Sequence, residues 1–171
     1  MFIPFITGQI RKRNKEMSFS IMIIRPMTLR RGDEGKIFEI LTHKNFITLA
    51  ILKKKICDTT LKALYPSLEK EEYEKASKYY KGDSLLLCLT HLVYSPISLL
   101  KESVGPSCLL EASSSTLRGM IGRIKYGGVK GNPYDDVCHY SESEDRADYE
   151  LNLLFPLSVV NFVKNYKNIK G

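Results

Sequence analysis

His139 is one of three histidines in a chain of 171 residues, and its neighbours give it the best chance of doing chemistry. Imidazole is the side chain that is readily available as a free base near neutral pH. Ser141-Glu142-Ser143-Glu144 follow at once, and Glu144 to Leu154 has the composition of a helix. Ser141 and Glu144 fit the S-x-x-E capping box, in which the serine accepts an amide hydrogen bond at the helix start. Acidic residues crowd the first turn, where the helix dipole favours them. This pattern predicts His139 in a loop just before a helix N-terminus, a place where backbone amides also favour phosphate. A histidine beside an anion site could accept a phosphoryl group as a nucleophile. The same short stretch also reads as a surface-loop histidine before an ordinary helix.

The rest of the chain must supply the frame. Ser18–Ile24 is an Ile-rich apolar run stopped by Arg25-Pro26, a buried central strand. A turn at Leu29–Gly32 leads to a helix over Gly35–Lys44, with Ile37, Ile40 and Leu41 on one stripe and Asn45 to end it. Phe46–Ile56 is β-rich. Asp58 or Thr59 begins a short helix through Leu61, Leu64 and Tyr65, stopped by Pro66. Leu68–Tyr80 is a charged helix with Tyr73, Ala76 and Tyr80 on a face, and Ser84–Leu92 is a further apolar strand. Pro96 opens a helix running to Gly105. A serine-rich loop covers Cys108–Thr116, Met120–Ile124 is expected as the fourth strand, and a Gly/Pro loop spans Tyr126–Tyr134. Leu157 to Lys170 suits a last helix. The alternation predicts α+β: a mostly antiparallel sheet covered by helices, with no internal repeat.

Composition narrows the function classes. Hydrophobic residues make up 43% and charged residues 26%, as in a soluble globular domain. No apolar run reaches the roughly 18 residues of a membrane helix, so no membrane partner is expected. The formal charge is +7, of which Arg11, Lys12, Arg13 and Lys15 against Glu16 account for +3, leaving +4 for the remainder. A modestly basic body suits nucleotides and also weak nucleic-acid contact. Cys57, Cys88, Cys108 and Cys138 form no C-x-x-C pair and, with three scattered histidines, do not suggest a zinc site. Free thiols in a reducing, cytoplasmic setting are expected. Gly127-Gly128-Val129-Lys130-Gly131 lacks the G-K-[ST] ending of a P-loop. Residues 1–17 are expected to be a flexible basic extension or to follow an upstream start codon, with the short apolar piece in the wrong order for a secretory signal.

Taken in order, several motifs resemble the nucleoside diphosphate kinase family. That family's first strand ends in Ile-Lys-Pro-Asp with an Arg-Gly soon after; here stand Ile24-Arg25-Pro26-Met27 and Arg31-Gly32. Its Gly-Phe turn is similar to Asn45-Phe46, and its Leu-x-x-x-His-Tyr segment to Leu61-Lys62-Ala63-Leu64-Tyr65. Its Thr-x-Arg-Gly resembles Thr116-Leu117-Arg118-Gly119, and its Asn-x-x-His-Gly-Ser-Asp-Ser resembles Asp136 through Ser143 with His139 in place. The family's glutamate eleven residues after the histidine is Glu150, followed by the apolar Leu151–Phe155. The similarity spans Ser18 to Phe155. It implies a ferredoxin-like α+β fold over residues 18–171, with 157–171 as a C-terminal tail.

The resemblance also implies chemistry. His139 would take the γ-phosphate of ATP and pass it to a nucleoside diphosphate, the two-step logic of covalent catalysis. Glu150 would hold the other ring nitrogen, Tyr65 would place its hydroxyl near the histidine, and Arg25 would sit beside the transferring phosphate. Tyr73 would cover the base. Lys101, Ser107, Arg118 and Asp136 would complete the nucleotide site, with Tyr73, Lys101, Ser107, Arg118 and Arg25 lining one cleft that faces His139. Magnesium would be held mainly by the substrate's phosphates, with no protein metal ligands. A homo-oligomer is implied as well. Arg25 stands for a lysine, Lys101 for an arginine, Ser107 for a threonine, Tyr73 for a phenylalanine, Asp136 for an asparagine and Tyr140 for a glycine. Tyr140 would crowd the pocket, and the loop before Asp136 is longer than in the family. These departures leave open a second reading, a kinase-like module that binds nucleotide or serves as a scaffold without turnover.

Residues 1–16 show no apolar periodicity and carry unpaired positive charge. A chain begun at Met17 should therefore melt at the same temperature as the full chain. A large drop, read by circular dichroism, would show that the extension packs on the domain.

Overall fold

The computed structural model describes residues 17–106, 111–126 and 137–169, with the side chains of 122–126 and 168–169 left aside. Four strands form one sheet in the order β2-β3-β1-β4: β1 Phe19–Ile24, β2 Ile47–Lys55, β3 Asp83–Thr90 and β4 Cys138–Tyr140. Every neighbouring pair is antiparallel. Eight helices accompany them among the described residues: α1 Pro26–Arg30, α2 Glu34–His43, α3 Asp58–Leu64, α4 Lys70–Tyr79, α5 Pro96–Val104, α6 Leu117–Tyr126, α7 Glu144–Leu154 and α8 Leu157–Ile169. The fold is the expected ferredoxin-like α+β arrangement.

All six residues of β1 are buried, which is why its sequence reads as a continuous apolar run and not an alternating one. Strand alternation still operates beneath that run. Phe19, Ile21 and Ile23 enter one core with Leu61 and Leu64 of α3, Ala147, Leu151 and Leu154 of α7, and Val160 and Val163 of α8. Met22 and Ile24 enter the other with Ile37 and Leu41 of α2, Leu100 and Val104 of α5, and Leu117 and Ile121 of α6. The sheet is thus a middle layer between two helical layers. Each fully buried Ile or Leu contributes about 1.5–3 kcal/mol by leaving water.

Several local signals act as the sequence predicts. Asn45 adopts φ 56°, the left-handed conformation that stops α2. Ser95 caps α5, accepting from the Ser98 amide, with Pro96 in the first turn. Four expectations are corrected. The fourth strand is Cys138–Tyr140, and Met120–Ile124 lies within helix α6. Leu117, Ile121 and Ile124 recur at helical spacing, and the β-favouring isoleucines yield to that period. Pro26–Arg30 forms a short helix, α1, where a turn was expected only from Leu29. His139 lies on β4 itself and not in a loop before α7. The cap of α7 is Ser143, accepting from the Arg146 amide, and Ser141 is not part of a capping box.

Residues 127–134 of the expected Gly/Pro loop, and Cys108, Ser107 and Asp136, lie outside the described residues. Among those described, Cys57, Cys88 and Cys138 are free thiols, and no helix is long and apolar enough to cross a membrane.

Gly119 shows how tightly α6 begins. Thr116 accepts from the Gly119 amide and donates to the Ser113 carbonyl, which folds the preceding loop against the helix. A Cβ on residue 119 would collide with the Ser113 carbonyl oxygen. Backbone cannot step aside as a flexible side chain can, so Gly119→Ala should lower stability by roughly 2–3 kcal/mol, or about 5–10 °C of Tm. A variant melting within about 2 °C of wild type would show that the loop gives way without cost.

Candidate active site

β4 pairs with β1 in the register Met22↔Tyr140, Ile23↔His139 and Ile24↔Cys138. Cys138 and Tyr140 belong to the α2–α5–α6 core. Alternation therefore turns the residue between them, His139, toward the opposite layer, where α3 and α7 pack. The Tyr140 ring, expected to crowd the pocket, is carried away from His139 by the same alternation.

Both ring nitrogens of His139 have partners. Nε2 lies 3.0 Å from Glu150 Oε1, and Nδ1 lies 3.1 Å from the Tyr65 hydroxyl. The Tyr65 ring meets the imidazole edge-on, with centroids 5.5 Å apart. The network continues outward. Tyr65 shares a hydrogen bond of 2.9 Å with the Tyr80 hydroxyl, and Arg25 Nη2 donates to Tyr65 at 3.5 Å. The Arg25 guanidinium stacks over the Tyr80 ring at 5.1 Å.

Glu150 is fully buried, and a bare carboxylate there would be costly. Its oxygens are instead well supplied. Oε1 accepts from Arg146 Nη2 at 2.8 Å besides facing His139, and Oε2 accepts from the Ser141 hydroxyl at 2.6 Å. Ser141 in turn accepts from the Ile21 amide at 3.2 Å, which fixes it to β1. Burial pushes the Glu150 carboxyl up. The hydrogen bond and charge of His139, the Ser141 hydroxyl and the Arg146 charge together outweigh burial and hold it below the ordinary carboxylate range.

An ionised carboxylate can only accept, so the proton of the neutral imidazole belongs on Nε2 and the lone pair on Nδ1. Burial, reinforced by Tyr80, pushes the Tyr65 phenol well above its usual range, with Arg25 acting in the opposite direction. Tyr65 therefore keeps its proton and donates it toward Nδ1. The arrangement yields one oriented nucleophilic nitrogen with a hydrogen-bond donor and a cation beside it.

The other residues picked from the sequence sit in different surroundings. Arg118, at the start of α6, is buried, donates to the Gly105 carbonyl and lies 5.8 Å from the Tyr140 ring centroid. Lys101 is exposed near the end of α5, and its carbonyl accepts from the Gly105 amide. These two flank Gly105. Tyr73 on α4 donates to the Asp58 carbonyl at 3.1 Å, with Lys62 over its ring at 5.4 Å. Ser107 and Asp136 lie outside the described residues, so the cleft expected from all of these residues together is described only in part.

Comparison with known proteins decides the family. Residues 18–160 match the family model described as nucleoside diphosphate kinase. The chain belongs to the nucleoside diphosphate kinase family. A nucleoside diphosphate kinase of Persephonella marina is 23% identical over 136 residues, covering 80% of this chain and 91% of that protein. Two solved structures share the fold. The Aquifex aeolicus nucleoside diphosphate kinase has a TM-score of 0.70 at 18% identity and covers 83% of this chain and 97% of its own. That of Encephalitozoon cuniculi has a TM-score of 0.69 at 19% identity, covering 88% and 99%. At such identities the structures speak to fold alone, and the residues must carry the chemistry.

Two members of the histidine network were not picked out from the sequence. Arg146 stands four residues before Glu150 in α7, an i,i+4 pair that helical spacing alone would flag. In the sequence Tyr80 reads only as part of a helix face, because its meeting with Tyr65 depends on how α3 and α4 pack.

The lowered Glu150 titration has a stability consequence. A carboxyl depressed in the folded state stabilises above its unfolded pKa, about 4.3. That contribution is lost as the pH falls through the folded value. Glu150→Gln does not titrate, so wild type should lose more stability than the variant between pH 5 and pH 3. Urea unfolding of both proteins across that window measures it. Parallel curves would mean that Glu150 carries no depressed pKa.

Proposed function

We propose that the chain is a nucleoside diphosphate kinase that moves the γ-phosphate of ATP to nucleoside diphosphates through a phosphohistidine at His139. The observation that carries this reading is the His139 imidazole held between Glu150 on Nε2 and Tyr65 on Nδ1.

The first half-reaction follows from that orientation. The Nδ1 lone pair attacks the γ-phosphorus, and the bond from phosphorus to the β,γ-bridging oxygen breaks. Its electron pair leaves with the nucleoside diphosphate. The Nε2 proton stays with the ring, and the Glu150 carboxylate stabilises the positive charge that develops there. Tyr65 turns its hydroxyl from Nδ1 to an oxygen of the transferring phosphate, and Arg25 adds a cation at the same place. A second nucleoside diphosphate reverses the path, so one site serves donor and acceptor. Arg118 and Lys101 would hold the remaining phosphates, Arg118 with its planar fork of donors, and Ser107 and Asp136 would complete the nucleotide site. Tyr73 would cover the base.

Magnesium neutralises phosphate charge when it enters with the nucleotide. The cation would be coordinated mainly by the substrate's phosphates. Homo-oligomerisation and a cytoplasmic location complete the proposal. β2, a nine-residue strand at the sheet edge with Ile51 exposed, supports association. Residues 1–17 would be an extension to a domain spanning 18–171.

Incubation with ATP labelled in the γ-phosphate tests the reading. The protein should take up an acid-labile, base-stable label, which separates phosphohistidine from phosphoserine at Ser141 or Ser143. His139→Ala should lose label and turnover together. Glu150→Gln should fold and still label, but on the order of 10²-fold more slowly, because it keeps a hydrogen-bond acceptor and loses the charge. A wild type that binds nucleotide and takes no base-stable label would rule out the nucleophile.

A further inference from the structure

The guanidinium of Arg146 touches one flank of the histidine and the backbone that leads into the other. Its Nη2 donates to Glu150 Oε1 at 2.8 Å and to the Leu64 carbonyl, also at 2.8 Å. Glu150 Oε1 is the oxygen that faces His139 Nε2. Leu64 immediately precedes Tyr65, whose hydroxyl faces Nδ1. One nitrogen thus ties α7 to the end of α3, and with them the two groups that hold the imidazole. The Tyr149 ring lies beneath the guanidinium at 5.3 Å, and about a third of the side chain remains exposed, at 34%.

We propose that Arg146 is a positioning residue that fixes Glu150 and the end of α3 around His139 and, through its charge, offsets the pull of the buried carboxylate on the imidazole. The inference rests on His139 acting as the phosphate acceptor. The groups that face the imidazole are Glu150 from α7, Tyr65 from the end of α3, Tyr80 through Tyr65 from α4, and Arg25 from the β1–α1 junction. Glu150 carries the one negative charge among these. Arg146 shares the same carboxylate oxygen and offsets part of its charge. A salt-bridged arginine would serve stability alone if it held only the helix. The shared oxygen gives it a second consequence, the pH dependence of labelling.

The test uses labelling by ATP at short times, quenched in base, at pH 6 and pH 8 in the full chain. Arg146→Gln keeps hydrogen-bonding capacity and removes the charge, whereas Arg146→Lys keeps the charge. The ratio of label at pH 6 to label at pH 8 cancels any difference in the amount of folded protein. It should fall about fivefold in Arg146→Gln, because the charge that offsets the carboxylate beside the ring is gone. It should return to the wild-type ratio in Arg146→Lys, even if the absolute rate is lower. A ratio unchanged in Arg146→Gln overturns the proposal, as does one that falls equally in both variants. A wild type that takes no label at either pH overturns the kinase reading itself, and the inference falls with it.

Discussion

A carboxylate with no surface in contact with water stands at the centre of this molecule. Taking Glu150 out of solvent is tolerable only because every near neighbour gives it something: His139 a ring N–H, Ser141 a hydroxyl, Arg146 a charged N–H. Removing one partner of a buried ionic cluster costs far more than the cluster adds in net stability, since the survivor is left charged and unmatched. The cluster is therefore better read as a device for orientation. It sets which nitrogen of His139 holds the proton, and so which one is free to react.

The donors stand close together in the chain, on β4, just after it and in α7, and the sheet orients them. Ser141 follows β4 directly and is tied to the Ile21 amide of the central strand. His139 leaves β4 on one face because its two neighbours are committed to the core on the other. α7 then lays Ala147, Leu151 and Leu154 on the sheet, and the same helical face that buries them carries Glu150 inward. Packing and chemistry are one decision here: a single-residue slip of β4 against β1 would send His139 into the α2–α5–α6 core. This explains how a strand of only three residues can hold the His139 ring in place.

Much of the frame was legible because burial leaves strong local marks. The Ile-rich first strand, the 3–4 spacing of α2, Asn45 at its end and Pro96 at the start of α5 each pair a residue type with one backbone demand. The histidine, the glutamate eleven residues on and the tyrosine after Leu64 were legible as an ordered pattern. What failed was short or long-range. Cys138–Tyr140 is too brief to show a period, so its strand character appears only in pairing with β1. Met120–Ile124 carries β-favouring residues on a helical spacing, and the spacing won. Ser141 looked like a helix cap because sequence distance cannot show that its hydroxyl is already engaged by Ile21 and Glu150. Arg146 was visible as an i,i+4 partner, but nothing local marks an arginine that also reaches the Leu64 carbonyl.

The exchange of lysine for arginine at residue 25 takes on a different weight once Tyr80 is considered. Residue 25 is buried, a poor place for the compact, strongly hydrated charge of an ammonium. A guanidinium sheds water more readily and stacks on aromatic faces. Here it lies over the Tyr80 ring while one of its nitrogens reaches the Tyr65 hydroxyl. The Tyr80 hydroxyl meets that same Tyr65 oxygen. The ring and hydroxyl of one tyrosine thus set both the cation and the phenol beside Nδ1. Residues 25 and 80 act as a coupled pair whose separate effects should not add. On this account the larger head of Arg25 is not a defect inherited by a decaying site. It is accommodated by an aromatic platform that a lysine would use less well, and the cation remains where a phosphate bound to His139 would meet it.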